Sequence, residues 1–170
     1  MGTNPWKMPF RIASNADIPI IQEIAYAAWP PAYSSIISQE QIDYMLHQMY
    51  DEKALASQMR QGHRFILLEE GEKTLGFASV QVLEKSAGKL HKLYLRPEEK
   101  GQGRGRSLLM EVFKQAQDMG IETLLLNVNR ANPAYYFYLN MGFEVHETID
   151  LDIGNGFYMN DFIMKKQLKA

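Results

Sequence analysis

Residues 100–106 are Lys-Gly-Gln-Gly-Arg-Gly-Arg, and this glycine-rich run separates a strand-like segment from a helix-like one. Before it, residues 90–95 show the alternation of a strand, which stops ahead of Pro97. After it, apolar side chains recur at helical spacing from Leu108 to Met119. Three glycines at alternate positions let backbone N–H groups converge, and a helix N-terminus adds partial positive charge. We therefore predict an anion-binding loop suited to phosphate.

The glycine spacing distinguishes between classes of phosphate-binding loop. A dinucleotide fold requires Gly-x-Gly-x-x-Gly, whereas these glycines are each separated by one residue. A nucleoside triphosphate loop ends in Gly-Lys-Ser or Gly-Lys-Thr, whereas Gly105 is followed by Arg106 and Ser107. A pyrophosphate of another kind is the ligand that remains. The structural alternative is a glycine turn that only joins the strand to the helix.

Length and composition indicate a single globular domain. The chain has 170 residues, of which 46% are hydrophobic and 22% are charged, which is sufficient for a substantial core. We predict that residues 9–170 form a single domain and that residues 1–8 form a flexible N-terminal arm. The chain contains no cysteine, which excludes disulfides and any acetyl-cysteine intermediate and fits a cytoplasmic location.

Charge and hydropathy argue against several other classes of function. The formal net charge of −2 is unlike the basic balance of a general nucleic-acid binder. The longest apolar runs are far too short to span a bilayer. The four histidines show no metal-ligand spacing. We therefore expect no nucleic-acid partner, no membrane partner and no metal.

A second motif occupies residues 132–143, Asn-Pro-Ala-Tyr-Tyr-Phe-Tyr-Leu-Asn-Met-Gly-Phe, after a strand-like run at residues 123–129. It resembles the Asn…Ala-x-x-Phe-Tyr-x-x-x-Gly-Phe pattern of the GNAT N-acetyltransferase superfamily. Residues 100–105 are similar to that family's acetyl-CoA loop, Arg/Gln-x-x-Gly-x-Gly/Ala, with Lys100 at the first position. One helix and one strand separate the two motifs, as in the family. The resemblance extends over almost the whole chain and implies an acetyl-CoA-dependent N-acetyltransferase.

The resemblance also implies a fold. The GNAT fold is a mixed α/β (α+β) architecture, with a central, twisted, mostly antiparallel sheet of six to seven strands flanked by four helices. The chain's own patterns fit the order β-α-α-β-β-β-α-β-α-β-β. We predict a first helix that begins at the capping-box-like residues 14–17 and ends before Pro30 and Pro31. A second helix is predicted from Gln39 to about Met59.

The same resemblance implies which residues bind acetyl-CoA. The backbone of the fourth strand pairs with the pantetheine arm, and an N–H there meets the thioester carbonyl oxygen. Asn132 contacts the cofactor in related proteins; Asn129 is the competing candidate, and helix capping before Pro133 would itself explain Asn132. The predicted cofactor-binding residues are Leu93, Tyr94, Leu95, Lys100, Gly101, Gln102, Gly103, Arg104, Gly105, Arg106 and Asn132.

Two residues are predicted to carry the proton transfers. Tyr138 occupies the tyrosine position of the second motif, which implies a general acid for the departing CoA thiolate; a phenol with a pKa of about 10 keeps its proton at neutral pH. His91 is the candidate base, because it lies two residues before Leu93 and is expected on the same strand face. An ordinary strand histidine is the alternative. Glu23 and Glu40 are further candidates but are more typical of solvated helix faces.

The acceptor site is the least specified part of the sequence. Trp29 and Tyr33 lie between the first two helices, where the family binds its acceptor, and we predict that they line the acceptor pocket, with packing anchors as the alternative. The N-terminal half and residues 161–164 look most like the branch that contains bacterial spermidine/spermine acetyltransferases. We therefore expect direct attack by a small primary amine, such as a polyamine, in a ternary complex. The alternatives are a protein N-terminal or lysine acetyltransferase and a non-catalytic acyl-CoA-binding sensor. A homodimer is a further expectation from relatives.

Overall fold

The computed structural model describes residues 9–168, in which five α-helices flank one seven-stranded sheet. The predicted arm at residues 1–8 lies outside the described residues. The strands are β1 (Phe10–Ile12), β2 (Arg64–Glu70), β3 (Lys73–Glu84), β4 (Ala87–Leu95), β5 (Thr123–Asn129), β6 (Glu144–Gly154) and β7 (Phe157–Gln167). The helices are α1 (Ile18–Tyr33), α2 (Gln39–Tyr50), α3 (Glu52–Arg60), α4 (Arg104–Asp118) and α5 (Ala134–Asn140).

The sheet has the order β1-β2-β3-β4-β5-β7-β6. All neighbouring strands in the described chain pair antiparallel except β4 and β5, which run parallel. A parallel pair needs a crossover connection, and α4 supplies it. The mixed, mostly antiparallel architecture predicted from sequence is confirmed. No helix within residues 9–168 is both long and apolar enough to cross a membrane.

Each face of the sheet carries its own hydrophobic core. On one face, α1, α2 and α3 bury a cluster that includes Ile21, Ile42 and Leu55. On the other face, α4 and α5 bury a cluster that includes Leu108 and Tyr138. We call these the α1–α3 face and the α4–α5 face. A strand between two such layers alternates its side chains between two different environments, so the face of each residue decides which layer it can serve.

The first helix does not end before its prolines, as the sequence had suggested. Helix α1 continues through Pro30 and Pro31 to Tyr33, and the N–H of Ser34 donates to the carbonyl of Pro30 at 2.9 Å. The two prolines remove hydrogen bonds only to the carbonyls of residues 26 and 27. Both of those residues are exposed, so water can hydrate the freed carbonyls. The extra turn brings Tyr33 toward the sheet.

The region predicted as one helix over residues 39–59 is two helices. Asp51 adopts an extended backbone with φ −68° and ψ 162°, and its Oδ1 accepts from the N–H of Ala54 at 2.6 Å. This N-cap starts α3 immediately after α2 ends. The sheet is therefore flanked by five helices rather than four, within the described residues. An aspartate can lie inside a helix or cap its N-terminus, and apolar periodicity alone did not show which of these positions Asp51 occupies.

Candidate active site

The parallel strands β4 and β5 separate halfway along their length. Their register runs from the pair Ala87 and Thr123 to the pair Leu90 and Leu126, and it ends there. On its other side, β4 stays paired with β3 as far as Leu95. The backbone of residues 91–95 that faces β5 therefore has no ladder partner in the described chain. An extended ligand with its own amide groups can pair with this edge, which is what the sequence motif implied for pantetheine.

The glycine loop lies at the open end of this separation. Gly101 and Gly103 have positive φ values of 83° and 78°, and Gly103 precedes the first residue of α4. The N–H of Ser107 makes the first hydrogen bond of the helix, to the carbonyl of Gly103 at 3.1 Å. The backbone N–H groups of Arg104, Gly105 and Arg106 precede that ladder, as the first turn of any helix requires. This arrangement is compatible with the anion-binding loop expected from the sequence.

The two arginines of the loop have different environments. Arg104 donates to Glu70 at 2.9 Å and lies 3.3 Å from the carboxylate of Glu99, so its charge is compensated within the protein. It also donates to the side chain of Gln102 at 2.5 Å. Arg106 lines the open cavity. Of the two arginines, Arg106 is therefore the one that can contact a phosphate bound in this cavity.

One cavity of about 630 Å³ joins these features. Most of the residues that sequence reasoning assigned to the cofactor line it: Leu93, Tyr94, Leu95, Lys100, Gly101, Gly103, Gly105, Arg106 and Asn132. Gln102 and Arg104 are not among the lining residues. Its wall includes the glycine loop and α5 on one face of the sheet, the free edge of β4, and the C-terminal turn of α1 on the other face. Its volume is that of a small-molecule or cofactor site.

Tyr138 lies on α5 against the cavity and is only 9% exposed. Its ring packs edge-on against Phe143, with ring centres 5.6 Å apart. Burial, with a smaller contribution from Tyr33, raises the pKa of Tyr138 well above its usual range. The phenol is therefore protonated at neutral pH, which is the state that a general acid needs before it acts.

The two competing asparagines have different neighbours. Asn132 lines the cavity, and its Oδ1 caps α5 by accepting from the N–H of Ala134 at 2.9 Å. Asn129 is 7% exposed, and its Oδ1 accepts from the N–H of Ala131 at 2.9 Å. Asn129 does not line the cavity. Asn132 therefore caps α5 and also lines the cavity, which is compatible with both interpretations of this residue.

The two predicted acceptor residues, Trp29 and Tyr33, differ in whether they line the cavity. Tyr33 lines the cavity, and its hydroxyl lies 2.9 Å from the hydroxyl of Tyr94. Trp29 is 1% exposed and packs against Tyr33, Tyr94 and Tyr50 at ring-centre distances of 4.5 to 6.0 Å. Trp29 is thus a core anchor beneath the site instead of a lining residue, because the extended helix α1 turns its indole inward.

His91 is displaced from its expected strand face by a β-bulge. Ser79 pairs with Lys92 and Val80 pairs with Leu90, so His91 is an extra residue on β4. A bulge of this kind disrupts the alternation of side chains. Leu90 and Leu93 both pack on the α4–α5 face. The side chain of His91 instead stacks on His63, at a ring-centre distance of 4.3 Å. The sequence prediction that His91 shares a face with Leu93 is therefore wrong.

The contacts of His91 define its protonation state. Its Nε2 lies 2.9 Å from Oε1 of Gln81, an acceptor, so Nε2 carries the proton and Nδ1 keeps its lone pair. Burial, with repulsion from His63, Lys89 and Lys92, lowers the pKa of His91 to about 3. The imidazole is neutral at physiological pH. His91 is also one of the residues that line the cavity.

Sequence reasoning did not identify several of the residues that line the cavity. Residues 126–128 of β5, and Pro31 and Phe137, line it and belong to no predicted set. Asp161 was also missed as a site residue; it lies one hydrogen bond behind the lining residue Asn127. An aspartate between Met159 and Ile163, at an inward position of an alternating strand, is the signal that would have identified it. Within residues 9–168, no three His, Asp or Glu side chains are grouped to hold a metal ion.

Comparison with known proteins relates this geometry to a family. The model of the acetyltransferase (GNAT) domain matches residues 34–159. A spermidine N(1)-acetyltransferase of Thermoplasma acidophilum is 31% identical over 166 residues, with 94% of this chain and 97% of the relative covered. A ribosomal protein bS18-alanine N-acetyltransferase of Haemophilus influenzae is 31% identical over 100 residues, which cover 58% of this chain and 64% of the relative.

Solved structures agree with this fold. The PaiA N-acetyltransferase of Thermoplasma acidophilum, solved with coenzyme A, superposes with a TM-score of 0.78 at 28% identity, over 94% of this chain and 99% of that one. The ribosomal-protein-S18-alanine N-acetyltransferase of Escherichia coli has the same fold, with a TM-score of 0.72 at 21% identity over 95% and 94% of the two chains. The family model covers most of the chain, and the spermidine N(1)-acetyltransferase is 31% identical over almost its whole length. This protein therefore belongs to the GNAT family of N-acetyltransferases, which use acetyl-CoA as the acetyl donor.

Proposed function

We propose that this protein transfers the acetyl group of acetyl-CoA directly to a small primary amine, with both substrates bound together. One observation carries the proposal: the glycine loop, the free edge of β4 and Tyr33 all line a single cavity of about 630 Å³. A donor and an acceptor can meet there without an intermediate carrier. The chain has no cysteine that could hold the acetyl group.

The cofactor end is built for the constant parts of acetyl-CoA. The N–H groups at the start of α4, with Arg106 and Lys100 beside them, suit the diphosphate. The unpaired backbone of residues 91–95 suits the amides of pantetheine, and one N–H of this edge suits the thioester oxygen as negative charge develops on it. These contacts position the thioester beside Tyr138.

Tyr138 is the proposed general acid. Collapse of the tetrahedral intermediate releases a thiolate, and a protonated phenol next to the cavity can supply its proton. Tyr33 and Tyr94 are also fully protonated, because burial raises the pKa of both phenols. Tyr138 differs from them because it lies on α5, on the same side of the sheet as the glycine loop.

His91 is our candidate for uptake of the proton from the amine. Its Nδ1 lone pair is directed away from Gln81, and the residue lines the cavity. With a pKa of about 3 it is a weak base, so the proton would pass on to solvent instead of remaining on the ring. An ammonium group of pKa about 10.4 is neutral in only a small fraction of molecules at pH 7. A route that carries its proton to solvent replenishes this neutral form as it reacts.

The acceptor class is proposed as a polyamine or a similar small amine. The relative that covers almost the whole chain is a spermidine N(1)-acetyltransferase. Two relatives are named as acetyltransferases of a ribosomal protein, which favours a protein acceptor instead. This is the second candidate, because the first of them matches only 58% of this chain and the second is only 21% identical to it. A cytoplasmic location and a homodimer stay predictions from the sequence.

Release of CoA thiol distinguishes these candidates. We would incubate the protein with acetyl-CoA and separately with diamines and polyamines, arylalkylamines, amino acids, and a peptide that begins with alanine. Thiol release that depends on an aliphatic di- or polyamine is the expected result. Release with the peptide alone would move the assignment to protein acetylation. Tight binding of acetyl-CoA with no release on any acceptor would favour the sensor and overturn the proposal.

A further inference from the structure

Asp161 is a buried acid that the reaction described above does not use. It lies on β7, where Met159 and Asp161 point to the α1–α3 face, and it is 5% exposed. Its Oδ2 accepts from Nδ2 of Asn127 at 3.3 Å. Its Oδ1 is fully buried and has no hydrogen-bond partner among residues 9–168. A buried carboxylate oxygen without a partner is costly, and such atoms are rare unless a ligand completes them.

The neighbouring cations do not compensate this carboxylate. The guanidinium of Arg130 donates to the backbone carbonyls of Ile149 and Asp161 and to the side chain of Asp150. Lys89 influences the carboxyl only through its field, since the two groups form no ion pair within 4.0 Å. Burial raises the pKa of the Asp161 carboxyl, and these neighbours offset only part of that effect. An additional cation would therefore be stabilised here.

Asp161 lies just behind the wall of the cavity, on the side that we propose for the acceptor. Asn127, its hydrogen-bond partner, lines the cavity. Asp161 pairs in register with Asn129, the last residue of β5, beyond the point where β4 and β5 have separated. Its charge reaches Tyr33 at the end of α1, because it contributes to the raised pKa of that phenol. Helix α4, which the glycine loop precedes, packs on the opposite face of the sheet.

We propose that Asp161 binds a second, non-reacting ammonium group of the acceptor and so selects diamines and polyamines over monoamines. The inference rests on the proposed function. The reacting nitrogen must be neutral when it attacks, and it must lie at the cavity beside Tyr138. Asp161 lies behind Asn127, away from that point, and a carboxylate favours the charged form of an amine. Asp161 is therefore suited to the nitrogen that keeps its charge.

The test compares two acceptors on one variant. Asp161→Asn keeps the shape and one acceptor for Asn127 but removes the charge. We expect kcat/KM for 1,4-diaminobutane to fall by about tenfold or more, through KM, because a buried ammonium–carboxylate contact is lost. For butylamine, which has no second nitrogen, kcat/KM should change less than about twofold. The KM for acetyl-CoA should be unchanged in both assays. Glu147→Gln, at an exposed acid on β6 that lies outside the Arg130 contacts, is the matched control and should affect neither acceptor.

Two outcomes would overturn the assignment. Equal losses with the diamine and the monoamine would show that Asp161 acts on the reacting nitrogen or on the fold. A wild-type protein with the same KM for butylamine and 1,4-diaminobutane would overturn it without any variant, even if Asp161→Asn failed to fold. Absence of turnover with every amine would instead contradict the proposed function itself. The failures of the two proposals are therefore distinguishable.

Discussion

The two ends of the cavity are built from different parts of the chain. The donor end uses backbone: the N–H groups after Gly103 and the free edge of β4 at residues 91–95. The acceptor end uses side chains from three separate elements, Tyr33 on α1, Asn127 on β5 and Asp161 on β7. A backbone site depends on conformation and recognises a constant ligand, whereas a side-chain site can vary without a change of fold. The donor can therefore be assigned from a motif, and the acceptor cannot.

Gly103→Glu is expected to have the largest effect, because it tests the backbone end directly. The change places a carboxylate in the phosphate cradle and a β-carbon at φ 78°. We expect acetyl-CoA affinity to fall by more than about 100-fold, which corresponds to roughly 3 kcal/mol. Isothermal titration calorimetry with acetyl-CoA measures it.

Gly120→Glu is the matched control for that experiment. Gly120 has a φ of 84°, has open space at its β-carbon, and lies at the opposite end of the same helix α4. It therefore carries the same backbone strain and the same new charge without the cradle. If both variants lost acetyl-CoA binding equally, helix destabilisation would be the cause and the loop assignment would fail.

Tyr138→Phe tests the group between the two ends. We expect kcat to fall by about 100-fold, the usual range for loss of a general acid, with acetyl-CoA affinity within about twofold of wild type. Because burial raises the pKa of Tyr138, the wild-type kcat should show no decline from this group as the pH rises toward about 10. Steady-state kinetics across pH, with a direct acetyl-CoA titration, give both quantities.

Tyr136→Phe is the corresponding control on the same helix. Tyr136 is 66% exposed, so loss of its hydroxyl should leave turnover unchanged. Normal turnover of the Tyr138→Phe variant at neutral pH would remove Tyr138 as the acid. Equal losses in the two variants would point to α5 packing in place of proton transfer.

Substitutions of Arg104 and Arg106 are expected to have the smallest effects on acetyl-CoA affinity. They test whether side chains of the loop add to the binding by its backbone. Arg106→Ala should weaken acetyl-CoA binding by about fivefold, or about 1 kcal/mol, because an exposed cation contributes little beyond the cradle. Arg104→Ala should change it less than about twofold, since that charge is already paired with Glu70 and Glu99. Calorimetric titration of both variants measures the difference. A larger loss for Arg104 than for Arg106 would reverse their assigned roles.

Local chemistry explains what sequence reasoning predicted well. The bounds of β5 agree with the predicted strand at residues 123–129, β4 ends at Leu95 where its alternation stops, and a glycine at φ 78° precedes α4 where the phosphate loop was expected. The capping box at Ser14 is also present, with its N–H donating to Asp17 at 2.8 Å. Each of these features depends on residues close together in the chain. A short window of sequence therefore contains the information.

Other features of the site depend on contacts between distant residues. The bulge at His91 arises from the register of β4 against β3, and no pattern within β4 alone predicts it. The inward position of Trp29 depends on where α1 rests on the sheet. The pairing of Arg104 depends on Glu70, 34 residues earlier in the chain. The sequence prediction treated all three residues as if their nearest neighbours set their roles.

The sequence by itself determined the family, the glycine turn that precedes α4 and the strands on either side of that helix, because turns, caps and periodic strands are set by local conformational preferences. Tertiary structure alone decided that β4 and β5 separate after Leu90 and that Asp161 lies behind the acceptor wall. Strand register and burial follow from the packing of two layers of helices on opposite faces of one sheet. An unpaired edge and an uncompensated charge exist only once those layers are in place.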